Sequence, residues 1–344
     1  MKYISTLIIS TVLTGIIYYS VVLALAPLPI QAEYWVREMI TIKLELAKKN
    51  SHRRKVIIAS GSNTLFGVSA SKLSSELCVP TINLGLHAAL SLENILNVAG
   101  KAVARGDVLI LPLEIPKYNE TSITGWQARN LIAWQPELWR GKSLLSKFEI
   151  INAIGPRLFQ QLIYTKFQII TDPNTLQNRL IALDDVSILK KFNPTVTLND
   201  FAYSAFNLNK FGDMRKTEGS HYLGKAAYSP EETIIISQRS RKALNEFINI
   251  MRTKGVAVYF ANTPYLKSKE FNLSLVKKSS ERLRADLSEL APLIDDKQDL
   301  IFDRKLFLNT NLHLNRQGRE MNTKRLENVI ASLLISQGIS HCLP

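Results

Sequence analysis

The sequence predicts an α/β fold: a doubly wound, mostly parallel sheet of about five strands flanked by helices, with a helical cap insertion and an N-terminal transmembrane helix. Three observations carry this reading. Short runs of β-branched and apolar residues, each closed by small turn formers, alternate with helix-length segments early and late in the chain, as in βαβ units around a buried parallel sheet. Between Tyr118 and about Pro230 that alternation stops, and aromatic residues recur in helix-like stretches instead. Tyr3 to Ala26 holds no charged residue, a length sufficient to cross a hydrocarbon core of about 30 Å.

Residues 1–27 are read as an uncleaved anchor. The competing reading is a secretory signal peptide ending near Ile30-Gln31-Ala32, although the apolar region of such a peptide is usually about 7–15 residues long. Either way the rest of the chain is expected on the extracytoplasmic side of a membrane. Lys2 stands against Arg37 and Lys43 across the span, so flanking charge orients it only weakly. Residues 28–54 are expected to form a juxtamembrane helical stalk, in which Trp35, Met39, Ile42 and Leu46 repeat at helical spacing. That stripe packs on the domain or lies among lipid headgroups. The basic run His52-Arg53-Arg54-Lys55 reads as a solvated entry to the first strand.

The α/β domain is assigned to residues 55–117 and 231–344. Its first strand, Val56 to Ala59, ends in Ser60-Gly61-Ser62-Asn63. A helix over Ala70 to Glu76, a strand over Val79 to Leu84, a helix over Leu92 to Ala104 and a third strand over Val108 to Leu113 follow. After the insertion, a helix over Glu231 to Lys254 is stopped by Gly255. Then come a strand over Val256 to Phe260, a helix over Glu270 to Leu290, a fifth strand near Leu300 to Asp303, and a final helix from about Arg319 to Ser336.

The insertion, residues 118–230, carries Trp126, Trp134, Trp139, Phe148, Phe159 and Tyr164 between breaks at Gly125, Pro136 and Gly155-Pro156. Core packing is the simplest account of these aromatics, and lining of an acyl or sugar site the sharper one. Asn199 to Tyr222 reads as an ordered loop returning to the domain, with His221 either on the surface or supporting the site.

At 344 residues and 46% hydrophobic content, the chain can bury a large core. Its formal net charge of +14 favours anionic partners such as lipid headgroups or acidic polysaccharide. No nucleic-acid motif accompanies the charge, so nucleic acid is not expected as a partner. There is no P-loop and no G-x-G-x-x-G after a strand, and no cofactor is expected. No His, Cys, Asp and Glu cluster has metal-ligand spacing, so no metal is expected. Of the two cysteines, Cys78 and Cys342, Cys78 reads as a buried apolar residue; a disulfide between them would suit an oxidising compartment.

Two loops hold the candidate chemistry. In open α/β sheets the ligand crevice lies beyond the carboxyl ends of the strands, which is where Ser62 falls. His313 lies in the polar loop Asn309, Thr310, Asn311 and Asn315, just before the last helix. A serine after an early strand and a histidine before the last helix would meet on one face of such a sheet as nucleophile and base.

These blocks resemble the SGNH/GDSL hydrolase-like superfamily, in particular its membrane-anchored branch associated with extracytoplasmic polysaccharide acylation. Ser60-Gly61-Ser62 with Gly67 takes the place of Gly-Asp-Ser and its following glycine. Thr81 to Leu90, with Gly85, resembles the block that supplies a backbone oxyanion donor. Pro112-Leu113-Glu114 stands where Gly-x-Asn is usual, so the oxyanion asparagine is missing. Thr310-Asn311-Leu312-His313 keeps the histidine of Asp-x-x-His without its carboxylate. The resemblance covers about residues 55–115 and 255–335.

It implies a serine esterase or O-acyltransferase acting on an acylated glycan or cell-envelope polymer. Ser62 would attack the ester carbonyl and His313 would take its proton, with N–H groups at Ser62 and near Gly85 holding the oxyanion. Asn309 or Asn311 would orient the imidazole, and Glu114 is expected to supply the missing negative charge behind it. The alternative is a catalytically inactive module of the same fold that binds glycan or assembles with a membrane-bound acyltransferase.

Overall fold

The computed structural model describes residues 2–26, 28, 30, 32–195, 203–218, 222–224, 235–267, 272–295 and 300–338. His221, Cys342, Glu231 and Glu270 lie outside the described residues; the helices expected to start at the last two begin later, at Gln238 behind the Ser237 cap and at Leu273 behind the Asn272 cap. In chain order, α1 (Lys2–Leu25) and α2 (Tyr34–Lys49) precede β1 (Val56–Ser60), α3 (Ser62–Gly67), α4 (Ala70–Leu77), β2 (Thr81–Gly85), α5 (Leu92–Ala102), β3 (Val108–Leu111) and α6 (Ile115–Tyr118). Six helices follow: α7 (Gly125–Trp134), α8 (Pro136–Gly141), α9 (Leu144–Ile154), α10 (Pro156–Thr171), α11 (Pro173–Ala182) and α12 (Asp185–Lys191). The chain then forms α13 (Gln238–Lys254), β4 (Ala257–Phe260), β5 (Tyr265–Leu266), α14 (Leu273–Ser288), β6 (Ile301–Phe302) and α15 (Arg316–Ser336). Two compact units result, one of residues 1–37 and 122–187, the other of residues 38–121 and 188–344.

The larger unit is built on a parallel four-stranded sheet of order β2-β1-β3-β4. Val56 pairs with Thr81 on one side and Val108 on the other, and Val108 in turn with Ala257. All residues of β1, β2 and β3 are buried, which explains why β1 and β3 read as continuous apolar runs, whereas β2 interleaves Thr81 and Asn83 with Ile82 and Leu84. Successive side chains point to opposite faces. Val56, Ile58, Val108 and Ile110 meet Leu73 and Leu77 of α4 and Leu326, Ile330 and Leu334 of α15. Helices α5 and α13 pack on each other and on β1 and β4. Burying one such Val, Ile or Leu is worth about 1.5–3 kcal/mol.

The expected fifth strand is not in this sheet. Beyond β4, among the described residues, the chain makes one parallel bridge, Phe260 to Leu293, with Phe260 N–H donating to Pro292 O and Ile294 N–H to Phe260 O. Pro292 has no N–H to extend a ladder. Ile301–Phe302, read as the fifth strand, pairs instead with β5 in a separate two-stranded parallel sheet.

Two local expectations are also corrected. Lys55 is not solvated: its side chain is fully buried and its ammonium lies 2.6 Å from Asp107. Cys78 is not a buried apolar residue. It is exposed, sits in the left-handed conformation that closes α4 (φ 50°), and is disulfide-bonded. Helix α2 takes the first of its two expected placements and packs on the domain, with Met39 to Lys43 buried and its apolar stripe in the core.

The smaller unit is helical. Val22 of α1 packs among Leu131, Ile132, Trp139, Ile151, Leu158 and Leu162. α1 remains long and apolar enough to cross a membrane, with Tyr3–Leu25 at a mean hydropathy of 2.1. α7 opens with a capping box in which the side chains of Thr124 and Gln127 each meet the other's backbone N–H, a local signal legible in Thr-x-x-Gln.

Candidate functional site

The site begins where β1 ends. Gly61 links the strand to α3, and Ser62 opens that helix with its side chain 2% exposed. Glu114 follows β3 at the start of α6 and folds back on this turn. Its Oε1 accepts the Asn63 N–H at 2.9 Å and lies 3.5 Å from Ser62 Oγ, the outer limit for a hydrogen bond. A Cβ on residue 61 would come within 2.6 Å of that carboxylate, so the small residue before Ser62 is what admits Glu114. Asn63 is anchored in turn, its Nδ2 donating to Pro112 O and Thr263 Oγ1.

His313 is held separately. The loop closes through Leu308 N–H to His313 O and Asn315 N–H to Leu306 O. Thr310 Oγ1 accepts from the Leu312 and His313 amides, and Asn315 caps α15. The imidazole stacks on Phe66 of α3 with ring centroids 4.2 Å apart. Phe66 is four residues beyond Ser62 and therefore on the same side of that helix, so both residues belong to one neighbourhood. They share no hydrogen bond. Nδ1 of His313 instead meets Asn309 Oδ1 at 2.9 Å and Tyr203 Oη at 3.0 Å, while Asn309 Nδ2 donates to the same tyrosine. An amide oxygen can only accept, so Nδ1 carries the proton and Nε2 keeps its lone pair. Asn311 is buried but does not bond the ring.

Burial, joined by the nearby His87, pushes the His313 pKa down to about 3. His87, two residues beyond β2, is itself pushed down to about 4, first by burial and then by Lys117. Its Nδ1 accepts the Ala89 N–H, which places the proton on Nε2. The site at neutral pH thus holds two neutral imidazoles, and among the described residues no carboxylate is hydrogen-bonded to His313.

Gly85 has a different part from oxyanion donor. Its N–H donates to Asn83 Oδ1 at 2.8 Å, and its α-carbon faces α3 so closely that a Cβ would fall 2.1 Å from Leu65 N. Gly85→Ala is expected to force α3 off β2 and cost about 1–3 kcal/mol or more, read as a lower unfolding midpoint; an unchanged midpoint would show that α3 moves freely. On the far side, the ammonium of Lys43 donates to Asn83 O at 2.8 Å and Gly85 O at 2.7 Å. Its pKa is lowered to about 7 by complete burial, partly offset by Asp213.

Sequence reasoning singled out Ser62, His313, Gly85, Glu114, Asn309 and Asn311, and missed Tyr203, His87 and Lys43. Asn309, four residues before His313, was within local reach; Tyr203 and Lys43 reach the site only through tertiary folding. A cavity of about 400 Å³, lined by Lys49, Thr81, Phe192 and Lys210 among others, lies at the opposite end of β2 from Gly85. Among the described residues, no three His, Cys, Asp or Glu side chains are grouped to hold a metal ion. Comparison with protein families, with characterised proteins and with solved structures returns no match for this chain.

Proposed function

We propose that the protein is a membrane-anchored, extracytoplasmic module of SGNH-like design that binds an acidic glycan of the cell envelope without hydrolysing it. One observation carries the reading: Ser62 Oγ shares no hydrogen bond with His313 and lies instead 3.5 Å from the Glu114 carboxylate, while Asn309 and Tyr203 hold Nδ1 of the imidazole, so nucleophile and base are not paired. A base with a pKa near 3 is also a poor proton acceptor for a serine hydroxyl. The net charge of +14 suits a polyanionic ligand, and the disulfide at Cys78 suits an oxidising compartment.

A second reading, a serine esterase or O-acyltransferase, is favoured by one feature: Nε2 of His313 has a lone pair and no hydrogen bond to a described residue. In that case Ser62 would lose its proton to Nε2 as its oxygen attacks an ester carbonyl. Asn309 would orient the ring with an amide instead of a carboxylate, an exchange that lowers turnover about 10⁴-fold in serine proteases.

Fluorophosphonate labelling of the full-length protein separates the two. The expected result is no labelling that depends on Ser62, together with retention of a uronic-acid polysaccharide by both the wild type and Ser62→Ala. Labelling that disappears in Ser62→Ala would establish the hydrolase reading instead.

A further inference from the structure

We infer that the outer face of α10, with the start of α9, lies in the headgroup and upper acyl region of the same bilayer that α1 crosses. The inference rests on α1 being a membrane anchor and adds a second contact to it. From Tyr3 to Ile17 the helix is almost unburied, but from Tyr18 onward it packs into the helical unit. Fifteen residues rise only about 22 Å, short of the roughly 30 Å of a hydrocarbon core. About five more residues, through Val22, must therefore sit at hydrocarbon depth, and tilt increases that number.

Those residues are the ones that grip α9 and α10. The Tyr18 ring lies 5.8 Å from Phe159 and its hydroxyl donates to Gly155 O; the Tyr19 ring lies 4.9 Å from Phe148 and its hydroxyl bonds Asn152. Whatever depth α1 reaches there, the corner between α9 and α10 shares it.

The surface at that corner has the chemistry this requires. α10 buries Leu158, Leu162 and Thr165, yet Ile163, Phe167 and Ile170, at spacings of four and three, form a second apolar stripe that is exposed, Ile170 by 70%. Leu145 at the start of α9 is 80% exposed. α10 carries Arg157 and Lys166 and no carboxylate. Between residues 138 and 171, Arg140, Lys142, Lys147, Arg157 and Lys166 stand against Glu149 alone. An exposed apolar stripe with basic flanks is the pattern of a helix lying in a membrane interface, where anionic lipid adds attraction.

The test uses the full-length chain in vesicles of phosphatidylcholine and phosphatidylglycerol. Ile170→Cys and, separately, Leu13→Cys are labelled with an environment-sensitive NBD dye without reductant, leaving the Cys78 disulfide intact. Blue-shifted emission at position 170 that is lost to nitroxide lipids labelled near the headgroup, and at position 13 to lipids labelled near the chain end, is the expected result. Quenching at 13 without quenching at 170 overturns the inference and leaves the anchor standing. A dye at 170 shielded from both lipid nitroxide and aqueous iodide would show a protein, such as a second copy, covering the stripe, and also overturns it. No quenching at either position removes the anchor and the inference together. Quenching at 170 alone removes the anchor and the depth argument built on it, and overturns the inference as well.

Discussion

Lys55→Met lowers the unfolding free energy by about 3–5 kcal/mol. The ammonium of Lys55 and the carboxylate of Asp107 are 2.6 Å apart and both buried, at the entry to the two central strands of the sheet. Asp107 also accepts the N–H groups of Lys55 and Ala104, and Val108 N–H donates to Lys55 O. Removing the ammonium leaves a carboxylate with no counter-charge in a site from which water is excluded, and that penalty exceeds the value of the pair itself. The control is Lys242→Met, whose exposed partner Glu246 lies 3.9 Å away; it is expected to change stability by less than about 1 kcal/mol. Denaturant melts of the solubilised protein check both. Equal effects from the two substitutions would show that the buried pair is dispensable.

Acidification destabilises the fold before the carboxylates titrate. His87 and His313, held down to about 4 and about 3, remain neutral in the folded protein, whereas in the unfolded chain each titrates near 6.5. Below that value the unfolded state binds two protons that the folded state refuses, so stability is complete above about pH 6.5 and falls as pH falls toward 4. Two groups at about 1.4 kcal/mol per pH unit each amount to about 4 kcal/mol lost between pH 7 and pH 5. Unfolding midpoints of wild type, His87→Gln and His313→Gln across that window test this. Each substitution is expected to remove about half of the slope, and a slope unchanged in both variants would place the acid sensitivity elsewhere.

β1 and β3 were legible because a strand buried on both faces announces itself as an uninterrupted apolar run, as in Val56 to Ala59, and β2 and β4 because each follows a helix and a turn former in the same alternation. The fifth was misplaced because sequence shows that Ile301-Phe302 is strand-like but not which partner it takes. Ser62 and Glu114 were found by their positions at strand ends, yet their mutual contact depends on how β1 and β3 align, which no local pattern states. Lys43 was invisible for a similar reason. It sits beside Ile42 in a helix whose polar positions look solvated, and only the carbonyls of Asn83 and Gly85 explain its burial. Asn309 was readable because four residues of chain join it to His313, whereas Tyr203 is separated from the ring by 110 residues.

The strand order has a consequence for synthesis. β2, β1 and β3 are complete once residue 111 has been made, but β4 begins only at residue 257, about 145 residues later. Closing that long loop costs only roughly 1 kcal/mol more entropy than closing the one between β1 and β3, so the penalty is one of time. At about 5–20 residues per second, the ribosome leaves the far edge of β3 unpaired for roughly ten to thirty seconds. That edge, Val-Leu-Ile-Leu, is a bare template for pairing with a neighbouring nascent chain, and the polypeptide therefore has to be shielded from others of its kind until residue 260 emerges.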